Sequence, residues 1–161
     1  MMFAVLTIAS VFLVGSQQDV LPGEQPVKPY EITNENAGAD PYPSDRYFKA
    51  FNGMEGIQRI SDDLVVRLVE DKRIEGIFRA SDLVRLRRTL AEQFCYLLGG
   101  PCDYTGRNMR SSHRDHGITQ REFLILVEHL QQAMNKEGVA FSDQSKLLAK
   151  LAPMHRDVIR R

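Results

Sequence analysis

The chain of 161 residues is long enough for one ordinary domain. Its content of 43% hydrophobic and 26% charged residues is typical of a globular protein. Lysine plus arginine and aspartate plus glutamate each number 21, so the chain lacks the excess positive charge that binding to a phosphate backbone requires, and we exclude nucleic acid as a partner.

The first sixteen residues are almost entirely apolar and have the layout of a secretory signal. The apolar run is shorter than the roughly 20 residues that a helix needs to cross a bilayer, and Val14 and Ser16 are small residues before a cut at Gln17. We therefore predict export to a periplasm or the exterior. No Lys or Arg precedes the run, which leaves a retained membrane anchor or a cytoplasmic protein as alternatives.

Residues 17–45 contain five prolines and show no hydrophobic periodicity. This composition is typical of an extended, mobile linker. We expect it to let the domain of residues 46–161 stand off from whatever the amino terminus contacts.

Apolar residues recur at helical spacing from Tyr47 onward, and no stretch shows the strict alternation of a half-buried strand. The pattern predicts an all-α domain, a compact helical sandwich. The first long helix carries an apolar face made of Ile57, Ile60, Leu64, Val65, Leu68 and Val69.

A second long helix begins after Ser81 or Asp82, either of which can accept free amide hydrogens, and stops at Gly99 and Gly100. Its apolar face consists of Leu83, Leu86, Leu90, Phe94 and Leu97. Cys95 and Cys102 flank the glycines. Export would allow them to form a disulfide, but Cys95 can equally be a small buried hydrophobe, and we favour the unbridged state.

Thr119 and Glu122 form a capping box that opens a third long helix. Its apolar face consists of Phe123, Leu126, Val127, Leu130 and Met134. Gly138 ends it, and we expect Ser142 to cap a last helical region that Pro153 interrupts.

The segment from Gly99 to Ile118 places His113 on a short helical turn after the double-glycine loop. It resembles the proximal-histidine segment of the group 1 truncated haemoglobins, and the resemblance extends over residues 46–161. The matching positions are Asp62, Asp63, Arg67, Asp71, Ile77, Phe78, Gly99, Gly100, Pro101, Tyr104, Thr105, Gly106, Met109, His113, Gly117, Ile118 and Phe123.

This resemblance implies a two-over-two globin fold that encloses haem b, with His113 as the proximal iron ligand. Met109, four residues earlier, is expected to offer its carbonyl to the second ring nitrogen of the histidine, which sets the ring orientation. The other cofactor contacts implied are Phe78, Phe94, Tyr104, Ile118 and Phe123, with Leu86, Thr89 and Leu90 on the opposite side of the iron.

Haem also needs cations for its propionates, and Arg85, Arg88, Arg107 and Arg114 are available. We favour Arg85 and Arg114. His116 lies three residues beyond His113 and would share its helical face, but a zinc site needs further ligands. His129 and His155 are expected at the surface or its boundary.

The distal side departs from the family, which usually has a tyrosine and a glutamine, histidine or lysine there. The aligned positions are Val65, Leu86, Thr89 and Leu90, which leaves only the Thr89 hydroxyl as an expected donor to bound gas.

The resemblance implies reversible binding of oxygen, nitric oxide or carbon monoxide, served by an unidentified reductase. The alternative is a haem-free globin-like sensor or interaction module, which the apolar distal positions favour. We assign no enzymatic activity, although nitric oxide dioxygenation or peroxidase chemistry remains open as a side activity.

Overall fold

The computed structural model describes residues 20–159, so the expected signal of residues 1–16 and its cut at Gln17 lie outside the described part. The α-helices are α1 (Arg46–Ala50), α2 (Gly53–Glu70), α3 (Glu75–Phe78), α4 (Leu83–Leu97), α5 (Met109–His113), α6 (Gln120–Lys136), α7 (Phe141–Leu151) and α8 (His155–Val158). Two short 3₁₀ helices cover Asn34–Ala37 and Ala152–Met154.

The prediction of an all-α domain is confirmed, since residues 20–159 contain no strand. Helix α2 packs against both α4 and α6, and the main core lies between these three helices. Its fully buried members include Ile57, Ile60, Leu64, Leu68, Phe94, Leu130 and Met134. Within this part of the chain, no helix is both long and apolar enough to cross a membrane.

The helix starts follow local capping chemistry. Asp82, rather than Ser81, caps α4, because its carboxylate accepts the amide hydrogen of Arg85 at 3.0 Å. The capping box of Thr119 and Glu122 is confirmed. The prediction that Ser142 caps the last helical region is wrong. Helix α7 begins at Phe141, and the Ala140 carbonyl accepts its first hydrogen bonds.

Residues 20–45, which we call the strap, differ from the mobile linker that their composition predicts. The strap packs along α4 and the loop that follows it. The Tyr30 hydroxyl donates to the Thr105 carbonyl at 2.5 Å, and the Tyr42 amide donates to the Leu97 carbonyl at 3.0 Å. Ala37 is completely buried. Prolines hold the backbone extended, and in that conformation its polar groups reach partners on the helical domain.

Glu24 ties the strap to α4. Its side chain is only 1% exposed and pairs with both Arg88 and Arg85, the latter at 3.1 Å. The hydrogen bond from Arg88 holds the pKa of Glu24 below its ordinary value, against the opposing effect of burial. A carboxylate buried in this way would be costly without its two guanidinium partners.

Cys95 and Cys102 form a disulfide, with their Cα atoms 5.9 Å apart, so the unbridged state that we favoured is wrong. The chain reverses at Gly99, whose φ of 81° is one that side-chain-bearing residues rarely adopt. At Gly100 a Cβ atom would meet the Cys95 sulfur at 2.6 Å. The two glycines therefore let the loop approach closely enough for the sulfurs to bond.

Replacing Glu24 by Gln should lower the free energy of unfolding at pH 7 by about 2 kcal/mol, because two arginines lose a charged acceptor. The folded pKa of Glu24 is depressed, so its contribution is complete above the ordinary value near 4.5 and disappears as the pH falls through the folded value. Urea unfolding at pH 7 and at acid pH measures this. The exposed Glu31→Gln should change stability little at either pH. A Glu24→Gln deficit that persists undiminished in acid would contradict the assignment.

Removing the disulfide in a Cys95→Ala/Cys102→Ala double variant should cost about 2.5 kcal/mol, the loop-closure entropy for a short loop. Denaturant unfolding with and without reductant measures the cost. Mass spectrometry after alkylation of the unfolded protein checks the bond: no thiol should react until reductant is added. Two alkylated thiols without reductant would show that the bond is absent.

Candidate functional site

An apolar cavity of about 290 Å³ lies between α2, α4, α6 and the short helix α5. Many of the residues implied by the family resemblance border it: Phe78, Leu86, Thr89, Leu90, Phe94, Tyr104, Met109, His113, Ile118 and Phe123. The volume is near the lower end of the roughly 300–1,000 Å³ of ligand pockets. The cavity therefore has room for a small ligand.

His113 is the last residue of α5, a helix of five residues. The Asn108 side chain caps this helix by accepting the Ser111 amide hydrogen at 2.9 Å. The His113 Nδ1 atom lies 2.7 Å from the Met109 carbonyl oxygen, so Nδ1 donates and the ring orientation is set. The expected contact between these two residues is confirmed. Ligation of iron by His113 stays a prediction.

The residues expected beside His113 form apolar walls. Ile118 is 8% exposed and Phe94 is 2% exposed, while Phe78 and Phe123 are half-buried at the edge of the cavity. A half-buried aromatic ring at a cavity edge offers its remaining surface to a ligand. The cavity thus has a buried apolar interior and, at its edge, apolar ring surface that a ligand could cover.

Tyr104 is held by its own loop. Its buried hydroxyl donates to the Arg107 carbonyl at 2.9 Å, and burial raises the pKa of the phenol, which stays neutral. At Gly106 a Cβ atom would meet that hydroxyl at 2.1 Å, so only glycine allows this close approach. Tyr104 contributes its ring to the cavity while its hydroxyl stabilises the turn.

The distal wall differs from the expectation at one position. Val65 is fully buried in α2 but does not border the cavity; Leu64 and Leu68 do. Residues four apart share a helix face, and the next residue along points about 100° away. Leu64 and Leu68 therefore form the α2 part of the cavity wall, and Val65 lies behind it.

Thr89 borders the cavity as expected, but its hydroxyl serves its own helix. The Thr89 Oγ1 atom donates to the Arg85 carbonyl at 2.9 Å and lies 3.3 Å from that of Leu86. Such back-bonding is common for threonine inside a helix. The donor expected for bound gas is thus engaged, and the α2 and α4 residues around it are leucines.

None of the four candidate arginines borders the cavity. Arg85 and Arg88 pair with Glu24, and Arg85 also pairs with Asp82. Arg107 lies over the Tyr30 ring. Arg114 is exposed and pairs with Asp115 at 3.4 Å. The strap therefore takes up Arg85, one of the two arginines that we favoured for a propionate.

The other three histidines differ in how deeply the structure buries them. His116 borders the cavity and is exposed, and His155 lies at the boundary, as expected. His129 is wrong as a surface residue: it is 7% exposed, with Nε2 2.8 Å from Asp71. Across residues 20–159, no three His, Cys, Asp or Glu side chains form a metal cluster.

Gln93 was missed by sequence reasoning. It borders the cavity, is 5% exposed, and donates through Nε2 to the Ala37 carbonyl of the strap at 2.8 Å. A signal existed, since Gln93 lies three residues beyond Leu90 on the apolar face of α4. Other lining residues that sequence reasoning did not assign to the cavity include Ser81, Ser112, Glu122, Leu151 and Met154.

Comparisons with known proteins show the family to which the chain is similar. A family model described as bacterial-like globin matches residues 46–160. The group 1 truncated hemoglobin GlbN of Mycolicibacterium paratuberculosis is 30% identical over 111 residues, which cover 69% of this chain and 82% of the relative.

Two solved structures share the fold. The truncated hemoglobin of Tetrahymena pyriformis in its Fe(III) form aligns with a TM-score of 0.68 at 18% identity, covering 71% of this chain and 98% of its own. The 2/2 hemoglobin of a Synechococcus species, in the cyanomet state with covalently attached heme, aligns with a TM-score of 0.65 at 18% identity, with the same two coverages.

Proposed function

The chain belongs to the bacterial-like globins and, among them, to the group 1 truncated haemoglobins, and from that premise we propose that it binds haem b through His113 and holds a diatomic gas reversibly. When bound, haem supplies an iron that takes up oxygen, nitric oxide or carbon monoxide. The observation that carries the proposal is the His113 ring, fixed by the Met109 carbonyl at the wall of an apolar cavity.

The chemistry of His113 suits this role. Because Nδ1 donates to Met109, Nε2 is the nitrogen that would hold iron, and a hydrogen bond on the other ring nitrogen makes it a more basic donor. The side chain cannot rotate without losing that bond. His113 thus approaches a cofactor in one orientation.

The cavity walls suit a planar macrocycle. Phe78, Phe94, Ile118 and Phe123 present apolar surface and exclude water from the reactive side of the histidine. Burial of apolar surface contributes about 25 cal/mol per Å² and needs no special geometry. These contacts supply affinity, while His113 supplies position.

The distal wall determines how gas is held. Leu64, Leu68, Leu86 and Leu90 have no donor, and the Thr89 hydroxyl is engaged with its own helix. Oxygen gains from a hydrogen bond because it carries partial negative charge when bound, whereas carbon monoxide and nitric oxide depend less on one. We therefore propose fast oxygen release and weakened discrimination against carbon monoxide and nitric oxide. Nitric oxide dioxygenation would be inefficient for the same reason.

We also propose that the protein is exported by its first sixteen residues. The apolar composition of that segment supports export, and so does the Cys95–Cys102 disulfide, which suits an oxidising compartment. An unidentified reductase would return the ferric protein to its ferrous form.

The proposal predicts that purified protein shows a Soret absorption band and that His113→Ala loses it. His116→Ala is the matched control, because His116 borders the same cavity three residues away and should leave the band unchanged. Absorption spectra of oxidised, reduced and carbon monoxide-treated protein measure this. Colourless wild-type protein that refuses added hemin would instead show a haem-free globin-like module.

Replacing Leu90 by Gln should slow oxygen dissociation about tenfold, since a new hydrogen bond of about 1–1.5 kcal/mol would stabilise the bound gas. Thr89→Val should leave the rate nearly unchanged, because the hydroxyl donates to the Arg85 carbonyl. Stopped-flow displacement of oxygen by carbon monoxide measures both rates. If oxygen dissociated about tenfold more slowly from the wild type than from Thr89→Val, the Thr89 hydroxyl would have to reach the ligand.

A further inference from the structure

Residues 103–107, which we call the proximal loop, lead into the short helix α5 that ends at His113. They form neither helix nor strand, and among residues 20–159 no backbone-to-backbone hydrogen bond outside the helices involves them. Tyr104 and Gly106 are nevertheless buried, and buried backbone groups need partners. The proximal loop therefore depends on side chains from other parts of the chain.

The strap provides two asparagines as partners. The Asn34 side chain accepts from the Tyr104 amide at 2.7 Å and donates to the Asp103 carboxylate at 2.9 Å. The Asn36 side chain donates to the Gly106 carbonyl at 3.2 Å. Three of the five loop residues are thus bonded to the strap through side-chain amides.

Tyr30 of the strap contacts the other two loop residues. Its hydroxyl donates to the Thr105 carbonyl at 2.5 Å, and the Arg107 guanidinium lies over its ring, 5.4 Å from the centroid. A cation over an aromatic face and a hydrogen bond at the ring edge use separate parts of the side chain. The strap therefore contacts every residue of the proximal loop.

Helix α4 also contacts the proximal loop. The Glu92 carboxylate accepts from the Thr105 amide at 2.9 Å and from the Thr105 hydroxyl at 2.8 Å. Gln93, the next residue of α4, donates to the Ala37 carbonyl of the strap at 2.8 Å. The loop, the strap and α4 therefore form one connected hydrogen-bond network.

The end of the proximal loop is bonded to α5. The Arg107 carbonyl accepts from the Ser112 hydroxyl at 3.4 Å, and the next residue, Asn108, caps the helix. A helix of five residues has too few hydrogen bonds to keep its own position. A displaced loop would therefore move α5, and with it the Met109 carbonyl that orients the His113 ring.

We propose that the strap positions His113 for haem. In this proposal Tyr30, Asn34 and Asn36 are positioning residues: they hold the proximal loop, and the loop holds α5 in the place where His113 faces the cavity. The inference rests on the proposed function, because it supposes that His113 binds iron. It extends the site to chain that lies outside the matched family region of residues 46–160.

Two tyrosines of the strap provide matched variants. Tyr30→Phe removes the hydroxyl that donates to the proximal loop and keeps the ring beneath Arg107. Tyr42→Phe removes a hydroxyl that donates to the Lys146 carbonyl of α7 at 3.2 Å. Both variants lose one hydrogen bond between the strap and a backbone carbonyl, but only one of these bonds reaches the loop.

Amide hydrogen exchange of the purified full chain tests whether the strap holds α5. The Ser112 amide, which donates to the Asn108 carbonyl at 3.0 Å, should exchange about fivefold faster in Tyr30→Phe, because losing one hydrogen bond favours local opening by about that factor. Tyr42→Phe should leave this rate unchanged. An unchanged rate in Tyr30→Phe, or equal acceleration in both variants, would overturn the proposal.

Asn34→Ala is the stronger variant, because it removes two contacts with the loop. In the ferrous haem-loaded protein, the iron–histidine stretching band in the resonance Raman spectrum should shift or broaden in Asn34→Ala and stay unchanged in Tyr42→Phe. Hemin should also transfer to excess apomyoglobin about tenfold faster from Asn34→Ala.

An unchanged Raman band together with an unchanged transfer rate in Asn34→Ala would overturn the positioning role, even where urea unfolding shows that the variant is less stable. A wild-type protein without a Soret band that refuses added hemin would overturn the proposed function, and with it the role toward iron. The exchange rate of Ser112 would still decide whether the strap holds α5.

Discussion

The site depends on a helix that is too short to be stable by itself. Helix α5 has five residues, far fewer than the 12–15 or so that an isolated helix needs in water. Its cap at Asn108 satisfies one free amide, and the Met109 carbonyl accepts from His113 at the other end. Packing against α8 holds the rest. His113 is therefore positioned by its surroundings, and each neighbouring loop has a part in its orientation.

The strap is one of those surroundings. It buries Glu24 against Arg85 and Arg88, places Ala37 behind Gln93, and accommodates Met154 beside Gly38. Through Gln93 and Met154, which border the cavity, these contacts connect the site to chain that lies outside the matched family region of residues 46–160. They also use a guanidinium that a propionate would otherwise attract.

Local patterns predict the parts of the fold that depend on local chemistry. The apolar periodicities of α2, α4 and α6 and the capping box at Thr119 involve residues three or four apart, as does the bond between His113 and Met109. The strap could not be predicted in this way, because Tyr30 and Thr105 meet across 75 residues of sequence. The disulfide depended on how sharply two glycines turn the chain. Which α2 side chains border the cavity also depended on the folded structure, because adjacent residues point about 100° apart around a helix axis, and Leu64 lines the cavity while Val65 does not.

The leucines of the distal wall would act on the dissociation rate of a bound gas more than on its association rate. A hydrogen-bond donor stabilises bound gas alone, so its absence raises the dissociation rate and lowers the equilibrium affinity. Because the Thr89 hydroxyl is engaged by the Arg85 carbonyl, the gas affinity of a haem-loaded protein would be set by the apolar wall and the iron.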